Sequence, residues 1–251
     1  MAITITFHDN IREILAPRFR GLEKIHHPLN RDASIKDVIE SFRVPHTEIR
    51  QLKVNGREVS FTYKVQDGDQ IDVHPLRPPF DVFHPTLLRP VPLDNYRFIV
   101  DVNVARLAIF LRMLGFDTVY HNRLTDPNIA EIAQQQKRIL LSKDRNLLKR
   151  KKIEFGYLVR KTKPLQQLFE VVRLFDIKEQ DILPFSRCMK CNGLLHPVSK
   201  AKILSRLEPL TKKYYNTFHL CGKCDQIYWP GTHREKMEKI VKEIVAIQVG
   251  Q

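Results

Sequence analysis

Between Tyr96 and Phe175 short apolar runs alternate with helical stretches that have one apolar face, and no other feature constrains the fold as much. The runs are Phe98-Ile99-Val100, Thr118-Val119-Tyr120, Ile139-Leu140-Leu141 and Tyr157-Leu158-Val159. A strand with no polar side must be covered on both faces, which is the condition of a parallel sheet between helices. The intervening segments supply the covers. Val104, Leu107, Ala108, Leu111 and Leu114 recur at helical spacing and stop at Gly115, a natural C-terminal cap. Ile129, Ile132 and Ala133 line a second helix. Leu165, Leu168, Phe169 and Val172 line a third, opened by Pro164.

The four cysteines form two Cys-x-x-Cys pairs, Cys188/Cys191 and Cys221/Cys224. Two such knuckles supply the four sulfur ligands of a closed, tetrahedral structural zinc site. The segment between them exceeds the roughly 15–20 residues usual in zinc ribbons, but a longer insert between clamped ends adds little entropy. Two disulfides or a redox pair are the alternatives. They fit poorly, because the chain has no secretory signal and redox Cys-x-x-Cys motifs come singly.

Residues 1–74 read as a separate α+β unit. Ile3, Ile5 and Phe7 alternate as a strand, and Ile35, Val38, Ile39 and Phe42 mark a helix. Gln51–Val54 leads through an Asn55-Gly56 hairpin turn into a strand reaching Phe61. Asp67-Gly68 then turns into Gln70–Val73, giving a β-grasp order. This unit resembles the sulfur carriers of thiamin and molybdopterin synthesis and, more distantly, ubiquitin. Those proteins act through a free C-terminal Gly-Gly, whereas here the last strand runs into His74-Pro75. A docking module with a protein partner is the reading that remains. Residues 75–95 carry Pro75, Pro78, Pro79, Pro85, Pro90 and Pro92, a stiff connector. Its Phe80, Val82, Phe83, Leu87 and Leu88 are expected to pack against a domain.

Lys and Arg number 42 against 28 Asp and Glu, a net charge of +14 that suits a polyanionic partner such as RNA. The surplus gathers at Lys149, Arg150, Lys151, Lys152, Arg160, Lys161 and Lys163, with Lys143 and Arg145 just ahead. Within the alternating region, three aspartates follow strands: Asp101, Asp126 and Asp144. Ligands in open parallel sheets collect at the carboxyl ends of the strands. Three carboxylates converging there would hold Mg²⁺ or Mn²⁺ and hydrolyse a phosphodiester. Helix capping is the plain alternative for Asp126 and Asp144. Asp101 is harder to explain structurally, since an acid ending a buried strand requires a partner. Asp117 reads as a turn residue at the opposite end of the sheet, Asn103, Lys143 and Arg145 flank the site as phosphate-binding or helix-capping residues, and His121 and Glu131 are weaker candidates. Tyr228 and Trp229 offer base stacking or ribbon packing, and His233 a hydrogen bond near the second knuckle.

The residues Phe98–Asn103, Leu111–Thr118 and Leu141–Arg145 resemble the PIN-like ribonuclease family named after the C-terminal domain of the Mut-seven exonuclease. So do Ser186–Asn192, Cys221–Cys224 and Tyr228–His233, and the N-terminal unit resembles the ubiquitin-like domain often fused ahead of it. The resemblance implies an α/β protein with a PIN-like parallel sheet flanked by helices, a C-terminal zinc ribbon and metal-dependent RNA cleavage. PIN nucleases commonly use four acids, and Arg160-Lys161-Thr162-Lys163 offers no fourth, which leaves one ion or a degenerate site.

The domains expected are a ubiquitin-like β-grasp unit (1–74), the connector (75–95), a PIN-like nuclease domain (96–185), and a zinc ribbon with a terminal helix (186–251). The expected function is a cytoplasmic ribonuclease without membrane spans, its substrate an RNA such as tRNA or rRNA. The expected cofactors are structural Zn²⁺ and catalytic Mg²⁺ or Mn²⁺. The alternative is a non-catalytic RNA- or ribosome-binding adaptor that uses the same basic surface.

Overall fold

A computed structural model describes residues 2–29, 31–231 and 238–244. The N-terminal unit is a five-stranded sheet built from β1 (Ala2–Phe7), β2 (Ile25–Pro28), β3 (Ile49–Val54), β4 (Arg57–Glu58) and β5 (Gln70–Pro75). Its order is β2-β1-β5-β3-β4, with only β1 and β5 parallel, the β-grasp arrangement. Helix α1 (Ile35–Ser41) crosses it. The Ser34 side chain caps α1 by accepting from the Asp37 amide, and Ile35, Val38 and Ile39 are buried. Asn55 and Gly56 take φ of 51° and 78°, the left-handed pair that a tight hairpin turn requires. The hairpin is shorter than expected: β4 ends at Glu58, and Phe61 lies in the turn that follows.

The second unit contains β6 (Arg97–Val100), α2 (Ala105–Met113), β7 (Asp117–Val119), α3 (Asp126–Gln135), β8 (Ile139–Ser142), α4 (Arg145–Leu148), β9 (Gly156–Leu158) and α5 (Pro164–Phe175). The four strands are parallel in the order β7-β6-β8-β9. Period-2 alternation divides each strand between two cores. Phe98, Val100, Ile139 and Leu141 pack with Leu107, Leu111, Leu168 and Val172 of α2 and α5. Ile99 and Leu140 face the other way, toward Ile129 and Ala133 of α3 and Leu147 and Leu148 of α4. That second core is continuous with the interior of the N-terminal sheet, including Ile5, Ile39 and Leu52. The β-grasp unit therefore shares one core with α3, α4 and this face of the parallel sheet.

The connector is bound into this joint. The Phe80 amide donates to the Leu174 carbonyl (2.7 Å) and the Leu93 amide to that of Val82 (2.9 Å). Buried Arg89 donates to the carbonyls of Ile49 (2.9 Å), Thr47 (3.1 Å) and Glu154 (3.3 Å), bridging both units. Glu48, 1% exposed, accepts from the Leu158 amide (2.7 Å) and Arg160 (2.6 Å), so it closes the outer edge of β9.

The C-terminal sheet joins β10 (Leu195–Val198), β11 (Phe218–Cys221) and β12 (Ile227–Tyr228), all antiparallel. Short helices α6 (Lys200–Ile203) and α7 (Pro209–Tyr214) fill the insert between the cysteine pairs. Residues 238–244 are helical, and Ile240 and Ile244 join the core beneath α2 and α5. No helix among the described residues is long and apolar enough to cross a membrane.

Candidate functional site

The chain crosses from β6 to β7 on one side and returns to β8 on the other, so the sheet has its switch point between β6 and β8. Connections diverge there and open a crevice beyond the carboxyl ends of the strands. Asp101 follows β6 and Asp144 follows β8, which places both at that crevice.

Asp101 is 6% exposed. Its Oδ1 accepts from the Val102 amide (2.6 Å), and its Oδ2 from Ser142 Oγ (2.7 Å) and Asn103 Nδ2 (2.5 Å). The Ser142 hydroxyl in turn accepts from the Asp144 amide (2.8 Å), so one buried oxygen links the two acids. Asn103 Oδ1 accepts from the Lys143 amide (2.9 Å), fixing the β8–α4 turn to the β6–α2 turn. Asp144 Oδ1 caps α4, accepting from the amides of Asn146 (2.7 Å) and Leu147 (3.4 Å). Its Oδ2 has no protein donor among the described residues. Both acids thus cap and also face the crevice. Neither forms an ion pair among the described residues.

Asp126 stands apart. Thr125, not Asp126, caps α3, in a capping box with Asn128. Asp126 meets Arg150 at 3.7 Å on the surface. The reason is strand order: Asp126 follows β7, an edge strand one position removed from the switch point. The expected convergence of three aspartates therefore does not occur. Among the described residues the only group of three or more His, Cys, Asp or Glu placed to hold one ion is the four cysteines. Asp101 and Asp144 nevertheless offer carboxylate oxygen at the strand ends, the donor type a hard divalent ion prefers. Two carboxylates suit one ion, not two. His121 and Glu131 lie elsewhere, His121 in a turn with the Arg123 amide and Glu131 against Lys152.

Beside Asp144 a cleft of about 590 Å³ is lined by Arg43, Asn103, Lys143, Asp144, Arg145, Asn146 and Lys149. Four cations face one acid. Lys143, Arg145 and Lys149 were expected from the sequence, whereas Arg43 comes from the β-grasp unit. The rest of the basic run is dispersed. Arg150 pairs with Asp126, Lys152 with Glu131, and Lys151 and Lys161 line other grooves. Arg160 is not a surface cation. It turns inward to buried Glu48, whose carboxyl is pushed up by burial although Arg160 and the Leu158 amide oppose the shift.

Beside the amino-terminal end of β7 the four cysteines converge, with all four sulfurs within 4.8 Å of one another. The sulfurs of Cys191 and Cys221 are 3.4 Å apart, and those of Cys188 and Cys224 3.6 Å. These separations exceed a disulfide bond of about 2.05 Å and approach the ~3.8 Å edge of a tetrahedron with metal–sulfur bonds of about 2.3 Å. Burial pushes the Cys188 thiol up, but the Tyr228 hydroxyl (3.1 Å) and local amides bring it down to about 7. Partial burial and the neighbouring sulfurs push the Cys191 thiol up to about 12. Sulfurs this close become thiolates together only around a cation, so the set fits a metal ion such as zinc. Tyr228 is engaged with this cluster, and Trp229 is 37% exposed. His233 lies outside the described residues.

A ribbon docks these knuckles onto the amino-terminal edge of β7. Asn192 accepts from the Thr118 amide (3.0 Å) and donates to Asp117 (2.7 Å). Arg112 donates to the Met189 and Lys190 carbonyls, each at 3.1 Å. Asp117, expected as a turn residue, is the hub of this contact, paired with Arg138 (2.8 Å) and Arg187 (3.6 Å). Burial raises its carboxyl, but Arg138 and Asn192 hold it below the usual carboxylate range.

A parallel α/β domain flanked by helices, preceded by a β-grasp unit and followed by a four-cysteine ribbon, is the PIN-like architecture expected from the sequence. The model of the Mut7-C RNAse domain matches residues 96–241, and that of the Mut7-C ubiquitin domain matches residues 1–81. The chain belongs to the Mut7-C RNAse domain family. Two solved structures are also similar to part of it. One is a putative molybdopterin converting factor subunit 1 from Pyrococcus furiosus, at 21% identity, 30% of this chain, 97% of that chain and a TM-score of 0.24. The other is SAMP1 from Haloferax volcanii, at 11% identity, 30% of this chain, 94% of that chain and a TM-score of 0.25. Comparison with curated proteins returns no match.

Proposed function

We propose that the protein is a metal-dependent ribonuclease that hydrolyses RNA phosphodiester bonds at the β6/β8 switch point. One observation carries this reading: two linked aspartates lie at the crevice, and a cation-lined cleft opens beside one of them. Asp101 and Asp144 would hold one Mg²⁺ or Mn²⁺ ion, whose chemistry when bound is to activate water and offset phosphate charge. Ser142 and Asn103 orient the Asp101 carboxylate. Lys143, Arg145 and Lys149 would bind the backbone phosphates flanking the scissile bond. The ribbon carries structural zinc on Cys188, Cys191, Cys221 and Cys224, in keeping with a reducing cytoplasm.

The excess of cations over acids in the cleft favours a second reading, an RNA-binding adaptor without chemistry. Incubating single-stranded and structured RNAs with Mn²⁺ or Mg²⁺ separates the two. Wild type should cleave. Asp144→Asn should cleave about a hundredfold more slowly, roughly 2.7 kcal/mol of barrier, with unchanged metal-free affinity. Equal cleavage by both would place the chemistry elsewhere, and binding without cleavage would establish the adaptor.

A further inference from the structure

We propose that the β-grasp unit is half of the RNA-binding site, with Arg43 forming one wall of a phosphate channel whose other wall is Lys143, Arg145 and Lys149. The inference rests on the proposed RNA-binding function and extends it to a unit that the sequence presents as a docking module.

The cleft lies in the joint between the two units. Arg43 enters it from the turn after α1, while Lys143, Arg145 and Lys149 enter from the β8–α4 region. The two deeper cations are anchored across the joint. Arg145 donates to the Ile14 carbonyl (2.7 Å) and Lys149 to the Glu40 carbonyl (2.7 Å), both in the β-grasp unit. A carbonyl orients a cation without neutralising it, so both charges stay available to an anion. Arg43 and Lys143 have no ion-pair partner among the described residues. Arg20, outside the cleft lining and tied to the Leu15 carbonyl (3.0 Å), adds its field at Arg145. The crowding acts on Arg145 and Lys149, both half-buried. Burial lowers the Arg145 guanidinium, and repulsion from Arg20 and Arg43 lowers it further. Burial also lowers Lys149, with Arg145 and Arg43 adding to the shift and Glu40 opposing it. A polyanion entering the cleft would relieve that repulsion.

Arg43 also holds a left-handed backbone, φ 70°, at the position after a helix where glycine or asparagine is usual. Glycine would relax that backbone and remove the charge, so Arg43→Gly removes the proposed contact without threatening the fold. A cleft of this size matches small-ligand sites of roughly 300–1,000 Å³. It takes a stretch of single strand better than a duplex.

The test is binding of a fluorescein-labelled single-stranded RNA in EDTA, by anisotropy over a salt series, so that cleavage plays no part. The proteins are wild type, Arg43→Gly, Arg43→Glu, Lys143→Glu and Arg57→Glu. Arg57 lies on β4, exposed and outside the cleft lining. Arg43→Gly should weaken binding about fivefold or more at ~0.1 M salt and flatten the log–log salt slope by about 0.7, the loss of one single-strand phosphate contact. Arg43→Glu should weaken it further, and Arg57→Glu much less. Equal losses from Arg43→Glu and Arg57→Glu would reduce the effect to overall charge and overturn the proposal. Wild-type affinity in both Arg43 variants alongside weak binding by Lys143→Glu would overturn it while sparing the proposed function. No RNA binding by wild type would overturn both.

Discussion

Asp117 opens β7 and Asp101 follows β6, at opposite ends of neighbouring strands in one sheet, and their surroundings differ in kind. Asp117 is met by two guanidinium groups, Arg138 and Arg187, and by Asn192 of the ribbon. Asp101 is met only by neutral donors: a backbone amide, Ser142 and Asn103. Charge compensation at Asp117 satisfies the acid and binds one unit to another. Neutral donors hold Asp101 in place and leave its negative charge uncompensated at the crevice. Burial alone does not separate the two roles, since both acids are largely enclosed. The charge of the partners does.

The comparison can be broken most severely at the ribbon edge. Native protein should contain one equivalent of zinc, whose binding to such sites contributes roughly 10–16 kcal/mol. Stripping it should abolish hydrogen-exchange protection over 186–231 while the β-grasp sheet stays protected. Full protection in metal-free protein would show that the ribbon needs no ion.

Gly115 lies beneath the same contact, with φ at +97°. A Cβ there would sit 2.3 Å from the Leu183 carbonyl oxygen and 2.7 Å from Ser186 Oγ. Gly115→Ala should therefore cost about 2–5 kcal/mol, combining left-handed strain with overpacking. Urea midpoints would measure it, and a loss under half a kcal/mol would contradict the packing described.

Asp117→Asn comes next. It keeps the shape and leaves two arginines without their anion, at a cost of about 2–3 kcal/mol given partial exposure. The sign with pH is fixed by the depressed carboxyl of Asp117. Its contribution is complete above the unfolded value near 3.9 and is lost as pH falls through the folded value. The gap between wild type and variant should thus narrow from pH 7 to pH 3. The smallest effect is at the other edge: Arg43→Gly should stabilise the fold by about 0.5–1 kcal/mol by relieving a left-handed arginine.

Much of this arrangement was legible in the residues. The strand–helix alternation from Tyr96, the Gly115 cap, the Asn55-Gly56 turn and the cysteine knuckles all follow from local chemistry that needs no tertiary partner. Strand β2, Ile-His-His-Pro, carries a single aliphatic residue and so gave no periodic signal. Asp126 looked equivalent to Asp101 and Asp144 because a strand-end position does not reveal strand order. Placing β7 at the edge is what removes Asp126 from the crevice. The basic run was visible as charge, but its partners lie far along the chain: Glu48 for Arg160, Glu131 for Lys152, Asp126 for Arg150. Arg43 was hidden for the same reason, since it reaches the cleft only when the β-grasp unit packs on the sheet.

Comparing Asp144→Asn with Asp117→Asn in one experiment, reading RNA cleavage with Mn²⁺ and the urea midpoint of each, tests the central claim directly. Asparagine caps a helix about as well as aspartate, so Asp144→Asn should keep a midpoint near wild type while cleavage falls about a hundredfold. Asp117→Asn should lower the midpoint and leave cleavage per folded molecule intact. Wild-type cleavage by Asp144→Asn, or losses of stability and activity in the same proportion in both variants, would contradict the division of labour between the two ends of the strands.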